Sequence, residues 1–240
     1  MADLPDARDH ALPCRPTVSC TADIAAPGTL EVEGGMLFSR LGDPANEWSY
    51  PFLLKQTLTH RIQMQVASNG FTTIHAAAPV QYLDNVGAGV KVHFLDQGDA
   101  WPSLAVTALV TLPTFDRRGY VRMDDGILTG HASKDLAWLH VDWNVGLDLW
   151  RLDASPVAQG FTALAFSTSL PPPFSIAVEG YAFTDAAPVA PRDGGVRVVL
   201  GTTPRPWLVF DVGGDAGLFP PTRSFSVFVG MTVIPIVLWR

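Results

Sequence analysis

The sequence predicts an all-β fold: a single antiparallel transmembrane β-barrel of about twelve strands, with long outer loops and short periplasmic turns. Three observations predict it. Runs of about ten residues that alternate apolar and polar positions recur between turn residues. Apolar residues make up 48% of the chain and charged residues 16%, well below the roughly 25% of an ordinary soluble domain. Finally, the longest weakly polar run, Val229 to Trp239, contains Thr232 and Pro235 and is far shorter than the ~20 residues of a spanning helix. A closed barrel is the other way to satisfy every backbone hydrogen bond inside a bilayer.

Residues 1–28 contain Pro, Ala and Asp without periodicity and read as an irregular periplasmic leader, so the chain divides into this segment and a barrel over 29–240. Cys14 and Cys20, the only two cysteines, are candidates for a disulfide in an oxidising compartment, with two free thiols as the alternative. They lack the further Cys or His ligands of a zinc site. Met1 to His10 carries Asp3, Asp6, Arg8 and Asp9 and no apolar core, so no signal peptide is visible in this chain.

The strand segments follow in order. Over 29–40, Leu30, Val32, Met36 and Phe38 oppose Glu31 and Glu33. After 50–59, segment 61–70 sets Ile62, Met64 and Val66 against Gln63 and Gln65, and 87–95 sets Val90, Val92 and Phe94 against Lys91 and His93. Segments 103–112 and 125–134 lead to the clearest run, 139–150. There Leu139, Val141, Trp143, Val145, Leu147 and Leu149 alternate with His140, Asp142, Asn144, Gly146, Asp148 and Trp150. A sandwich strand typically has five or six residues, whereas this run is long enough to cross a bilayer at a tilt. Segments 160–169, 175–184 and 195–203 precede 207–216, where Leu208, Phe210 and Val212 oppose Asp211, Gly213 and Asp215. Phe225, Val227 and Val229 open the last segment, 224–235. Gly (21) and Pro (20) interrupt every helical pattern. Short connections alternate with long ones at 41–49, 71–86, 113–124, 151–159, 185–194 and 217–223, as turns and loops do in outer-membrane barrels.

Trp48, Trp101, Trp138, Trp150, Trp207 and Trp239 fall at strand ends, where indoles favour a membrane interface; aromatics packed over the ends of a soluble barrel are the alternative. The inward face is polar. Its expected lining is Glu31, Glu33, Gln63, Gln65, Lys91, His93, His140, Asp142, Asn144, Asp148, Glu179, Asp211 and Asp215, and acids there outnumber Lys55 and Lys91, which predicts an electronegative, selectivity-setting lumen.

Chemistry-bearing motifs are lacking. The histidines at 10, 60, 75, 93, 131 and 140 show no metal-ligand spacing, although His93, His131 and His140 fall in nearby strands. There is no nucleophile elbow around Ser167, Ser169 or Ser175, and no helix follows Gly213 and Gly214 to cradle a phosphate. The reading is therefore a non-enzyme without catalytic residues, metal or cofactor. With 23 acidic against 16 basic residues and net charge -7, nucleic acid is not an expected partner.

Four stretches carry a family resemblance: TADIAAPGTLEVEGG from Thr21, YPFLLK from Tyr50, RIQMQVASNG from Arg61, and VFVGMT from Val227. They resemble the opening, second, third and closing strands of the bacterial β-barrel transporters named for the MetA pathway of phenol degradation. The resemblance implies a bacterial outer-membrane barrel taking up small hydrophobic or aromatic compounds, and it carries over no catalytic residue. The leading expectation is a porin-like pore or transporter, monomeric, with membrane lipid and a small solute as partners. A structural or adhesive barrel with a plugged lumen, and a soluble ligand-binding barrel, are the alternatives.

Overall fold

The computed structural model describes residues 10–15, 17–41, 45–112, 126–152, 155–186, 192–219 and 223–239, and all its regular elements are β-strands. They are β1 (Thr29–Leu41), β2 (Asn46–Ser49), β3 (Phe52–Thr57), β4 (Ile62–Ser68), β5 (Phe71–His75), β6 (Val80–Leu83), β7 (Val86–Leu95), β8 (Ser103–Leu112), β9 (Gly126–Leu136), β10 (Leu139–Leu152), β11 (Ser155–Ser169), β12 (Phe174–Phe183), β13 (Asp193–Arg205), β14 (Leu208–Gly217) and β15 (Arg223–Val237). Neighbours pair antiparallel, and β15 returns to β1 in register from Thr29 with Val237 to Leu41 with Arg223, which closes the sheet. Closure removes the edges that β1 and β15 would otherwise present to another chain.

β2 continues into β3, β4 into β5 and β6 into β7, so the barrel has twelve strands, three of them bent. The bends align. Gly35 donates its N–H to the Pro51 carbonyl at 3.2 Å, Tyr50 to that of Phe71 at 3.2 Å, and Asp84 to that of Gly70 at 2.8 Å. Pro51 has no N–H to give the ladder. Gly70 adopts φ +66°, and a Cβ there would lie 2.2 Å from the Tyr50 carbonyl oxygen. These residues crease the sheet without ending it. The long loops expected over 41–49 and 71–86 are correspondingly shorter, because Asn46–Ser49, Phe71–His75 and Val80–Leu83 are strand. The expected loop 113–124 lies outside the described residues.

Alternation along each strand separates two faces. On β10, Trp143, Val145, Leu147 and Leu149 point outward and are 46–51% exposed, while Asn144 between them is buried. The largest fully buried side chains are Lys55, Lys91, Gln63, Glu31, Glu33 and Glu179. Charged groups are almost never fully buried in a soluble core unless paired, and apolar ones rarely form a continuous outer band. This inverted burial is what a barrel with lipid outside requires.

Residues 10–15 and 17–28 do not form a leader outside the barrel. They run through its interior, where Ala22 and Ala25 are buried, and emerge into β1 at Gly28. The reason is hydrogen bonding: a barrel interior lined with polar side chains offers partners to an irregular backbone that no ladder satisfies.

Candidate functional site

The site is the lumen and the segment threaded through it. The segment enters at the short-turn end, where Ala11 donates its N–H to the Pro206 carbonyl at 2.9 Å. It then climbs beside β1. The Glu31 carboxylate accepts the Leu12 N–H at 2.7 Å, and Glu33 accepts those of Cys14 at 3.0 Å and Arg15 at 2.8 Å. Next it crosses the lumen to β12, where Glu179 accepts the N–H groups of Val18 at 3.0 Å and Ser19 at 2.6 Å and the Ser19 hydroxyl at 2.7 Å.

On β10, Asn144 treats the Cys20 backbone as a strand partner would. Its Oδ1 accepts the Cys20 N–H at 2.8 Å and its Nδ2 donates to the Cys20 carbonyl at 2.9 Å. The Ser133 hydroxyl accepts the Ala22 N–H at 2.6 Å, and Ser103 donates to the Asp23 carboxylate at 2.6 Å. Gly28 finally donates to the Thr57 carbonyl at 2.9 Å. The segment is thus tied to β1, β3, β8, β9, β10 and β12, on opposite sides of the barrel. Within it, Cys14 and Cys20 form a disulfide.

Cations from the wall balance much of the acid. Lys55 Nζ lies 2.6 Å from Glu33 and 3.3 Å from Glu31, and it also donates to the Leu12 carbonyl. Arg197 lies 2.8 Å from Asp215 and 3.5 Å from Glu179, with its guanidinium 5.2 Å from the Tyr181 ring centre and 5.4 Å from that of Phe228. Lys91 donates to the carbonyls of Thr21 and, at 3.1 Å, Asp23. The excess of inward acid counted from sequence is therefore met largely by ion pairs and segment N–H groups; buried charges are tolerated when so satisfied.

The inward residues named from sequence share this interior without forming one cluster. Gln63 bonds Thr57 at 3.1 Å and Gln65 bonds Gln63 at 3.0 Å along one strand face. Asp148 and Asp211 are half-buried, and Asp215 is buried against Arg197. The three histidines stay apart. His131 contacts Thr107 at 2.8 Å and Asn144 at 3.0 Å, His140 lies between Asp135 at 2.7 Å and Asp142 at 3.1 Å, and His93 joins Ala22 to Asp96. Among the described residues no group of three potential ligands can hold a metal. In the β7–β8 turn, the His93 hydrogen bond at 2.8 Å, aided by Arg61 at 2.8 Å, holds the Asp96 carboxyl below the usual carboxylate range.

Cavities remain beside the segment. One of about 370 Å³ is lined by Arg15, Ser19, Trp138, His140, Asp142 and Asp211 among others. A second of about 510 Å³ is lined by Leu12, Asp23, His60, Arg61, His93 and Asp96 among others. Trp101, Trp138, Trp207 and Trp239 are exposed at the short-turn end, and Trp48, towards the other end, packs 4.8 Å from Phe38. The Trp150 side chain lies outside the described residues. Arg197 and the whole inner segment were missing from the sequence-derived lining. Arg197 had a signal, since it sits between the outward-facing Val196 and Val198.

No family model matches this chain, and no curated protein matches it. Solved structures do. The COG4313 outer membrane channel from Pseudomonas putida F1 matches over 88% of this chain and 97% of its own, at 12% identity and a TM-score of 0.66. The NanC porin matches over 85% and 98%, at 12% identity and a TM-score of 0.57. The KdgM porin also matches over 85% and 98%, at 10% identity and a TM-score of 0.55. At such identities the likeness shows the fold, and that fold is the closed barrel found in outer-membrane channels and porins.

Proposed function

We propose that this protein is a monomeric channel or transporter of the bacterial outer membrane that passes small solutes through a lumen narrowed by residues 10–15 and 17–28. The observation that carries the reading is the inverted burial: Lys55, Lys91, Glu31, Glu33 and Glu179 inside, and a band of Trp143, Val145, Leu147 and Leu149 outside. The outer band meets lipid, the exposed tryptophans mark its borders, and the short turns face the periplasm. Inward carboxylates, Asp142, Asp148 and Asp211 among them, set selectivity. The sequence resemblance supports small hydrophobic or aromatic solutes as the class carried, and the likeness to channels and porins supports the pore itself.

The wall-to-wall course of the inner segment favours a second reading, a barrel with a permanently plugged lumen that acts through its loops. Conductance of the full chain in planar bilayers, with liposome uptake of a small phenol, decides between them. A channel gives small discrete steps and solute uptake. A heat-modifiable barrel that conducts nothing and takes up nothing leaves the plugged reading.

A further inference from the structure

Two sulfur atoms and two lysine side chains meet inside the barrel. The disulfide joins Cys14 to Cys20 with their Cα atoms 4.5 Å apart, closing that part of the segment into a ring. Lys55 Nζ is 4.0 Å from the Cys14 sulfur, and Lys91 Nζ is 3.7 Å from the Cys20 sulfur. Both ends of the ring are also wall anchors, Cys14 on Glu33 of β1 and Cys20 on Asn144 of β10. The ring therefore fixes the span between two sides of the lumen. The cavity of about 370 Å³ is lined by Pro13, Arg15, Thr17 and Ser19, the residues beside the two cysteines, while Cys14 itself is buried and Cys20 half-buried.

We propose that this disulfide is a thiol-exchange site that locks the lumenal segment in place, and that a small dithiol opens it. The proposal rests on the channel reading above. A thiolate of the dithiol attacks the Cys14 sulfur, the Cys14–Cys20 bond breaks, and the electron pair leaves on the Cys20 sulfur. Lys91 stands beside that leaving group, its other partners being the neutral carbonyls of Thr21 and Asp23. A neighbouring ammonium lowers a thiol's pKa, and thiols of lower pKa leave faster. The second thiol of the reagent then attacks its own sulfur in the mixed disulfide, closes to a cyclic disulfide and releases Cys14 beside Lys55. Two electrons and two protons pass from the dithiol to the cysteines. Once the ring is open, the chain between the anchors can extend to roughly 3.3 Å per residue, so the β1 and β10 anchors no longer constrain each other. The crossing then loosens and wider solutes pass.

The test uses the full chain in planar bilayers, with dithiothreitol added to either side and free thiols titrated in parallel. The expected result is a thiol from each cysteine and a severalfold rise in conductance. The double variant Cys14→Ser/Cys20→Ser should conduct at the raised level from the start and ignore the reagent. If that variant does not give a heat-modifiable barrel, the wild-type comparison with and without dithiothreitol carries the test. Lys91→Met should slow thiol release about tenfold, as expected when the leaving thiol loses its cation. Thiols that appear while a conducting barrel keeps its original conductance overturn the lock and leave the channel standing. A disulfide that resists the reagent until the barrel is denatured overturns the exchange site. A barrel that conducts in neither redox state overturns the channel reading, and the lock with it.

Discussion

Glu179, midway along β12, accepts two hydrogen bonds from Ser19, one from its backbone N–H at 2.6 Å and one from its hydroxyl at 2.7 Å, across 160 residues of sequence. A carboxylate in this position does for an irregular segment what a neighbouring strand does for a strand. It satisfies backbone donors that would otherwise be buried without partners.

Glu179→Ala should therefore weaken the seat of the segment more than Glu179→Gln, whose amide oxygen still accepts. Hydrogen bonds to a charged group are worth about 1.5–3 kcal/mol each, and the alanine variant loses those from Val18 and Ser19 without supplying another acceptor. Chemical unfolding in detergent, followed by intrinsic fluorescence, measures the difference. Equal midpoints for alanine, glutamine and wild type would remove Glu179 as an anchor.

Lys55 bridges the buried carboxylates of Glu31 and Glu33. Lys55→Met leaves both carboxylates buried without it, and removing one partner of a buried ion pair costs about 3–5 kcal/mol. The triple variant that adds Glu31→Gln and Glu33→Gln should recover much of that loss, because the charges themselves are then gone. The check is the same unfolding midpoint. A triple variant no more stable than Lys55→Met would mean that packing of the lysine stem, and not charge balance, is what Lys55 contributes.

The sequence made the wall of this barrel legible and hid its contents. Period-two alternation is a local signal, so Leu139 to Trp150 or Ile62 to Gln65 showed their faces at once, and each of the twelve expected segments overlaps one barrel strand. The crease was not legible because Pro51 and Gly70 are the same residues that end strands elsewhere. The inner segment has no periodicity of its own, and its partners Glu33, Asn144, Ser133 and Glu179 are scattered over more than a hundred residues. One hint was present: more inward carboxylates than Lys55 and Lys91 can balance, which implies further donors inside the lumen.

Leu147, 46% exposed midway along β10, tests the outer surface. If this face meets lipid, Leu147→Arg costs about 2–4 kcal/mol, the depth-dependent cost of a cation near the bilayer midplane. On a water-facing barrel the same change would be nearly neutral or favourable. Folding into lipid vesicles, read by the fraction of heat-modifiable protein, distinguishes these. An arginine variant that folds as well as wild type in lipid would count against a membrane-facing β10.

Gly28 and Gly34 bracket the start of β1 and make a matched pair. Gly28 has φ +83°, and a Cβ there would lie 1.9 Å from the Trp239 carbonyl oxygen, while a Cβ at Gly34 would meet nothing within 4 Å. Gly28 is also where the inner segment leaves the lumen: its N–H reaches the Thr57 carbonyl and its own carbonyl accepts the Leu238 N–H at 2.8 Å. Gly28→Ala must therefore both strain the backbone and push the chain away from the residues that follow β15, at the seam where the barrel closes. Gly34→Ala adds a methyl group in open space and suits an extended strand better than glycine does. We expect Gly28→Ala to reduce the heat-modifiable fraction sharply and Gly34→Ala to leave it unchanged or raise it. Equal yields from the two would show that closure of β1 on β15 does not depend on the turn at Gly28.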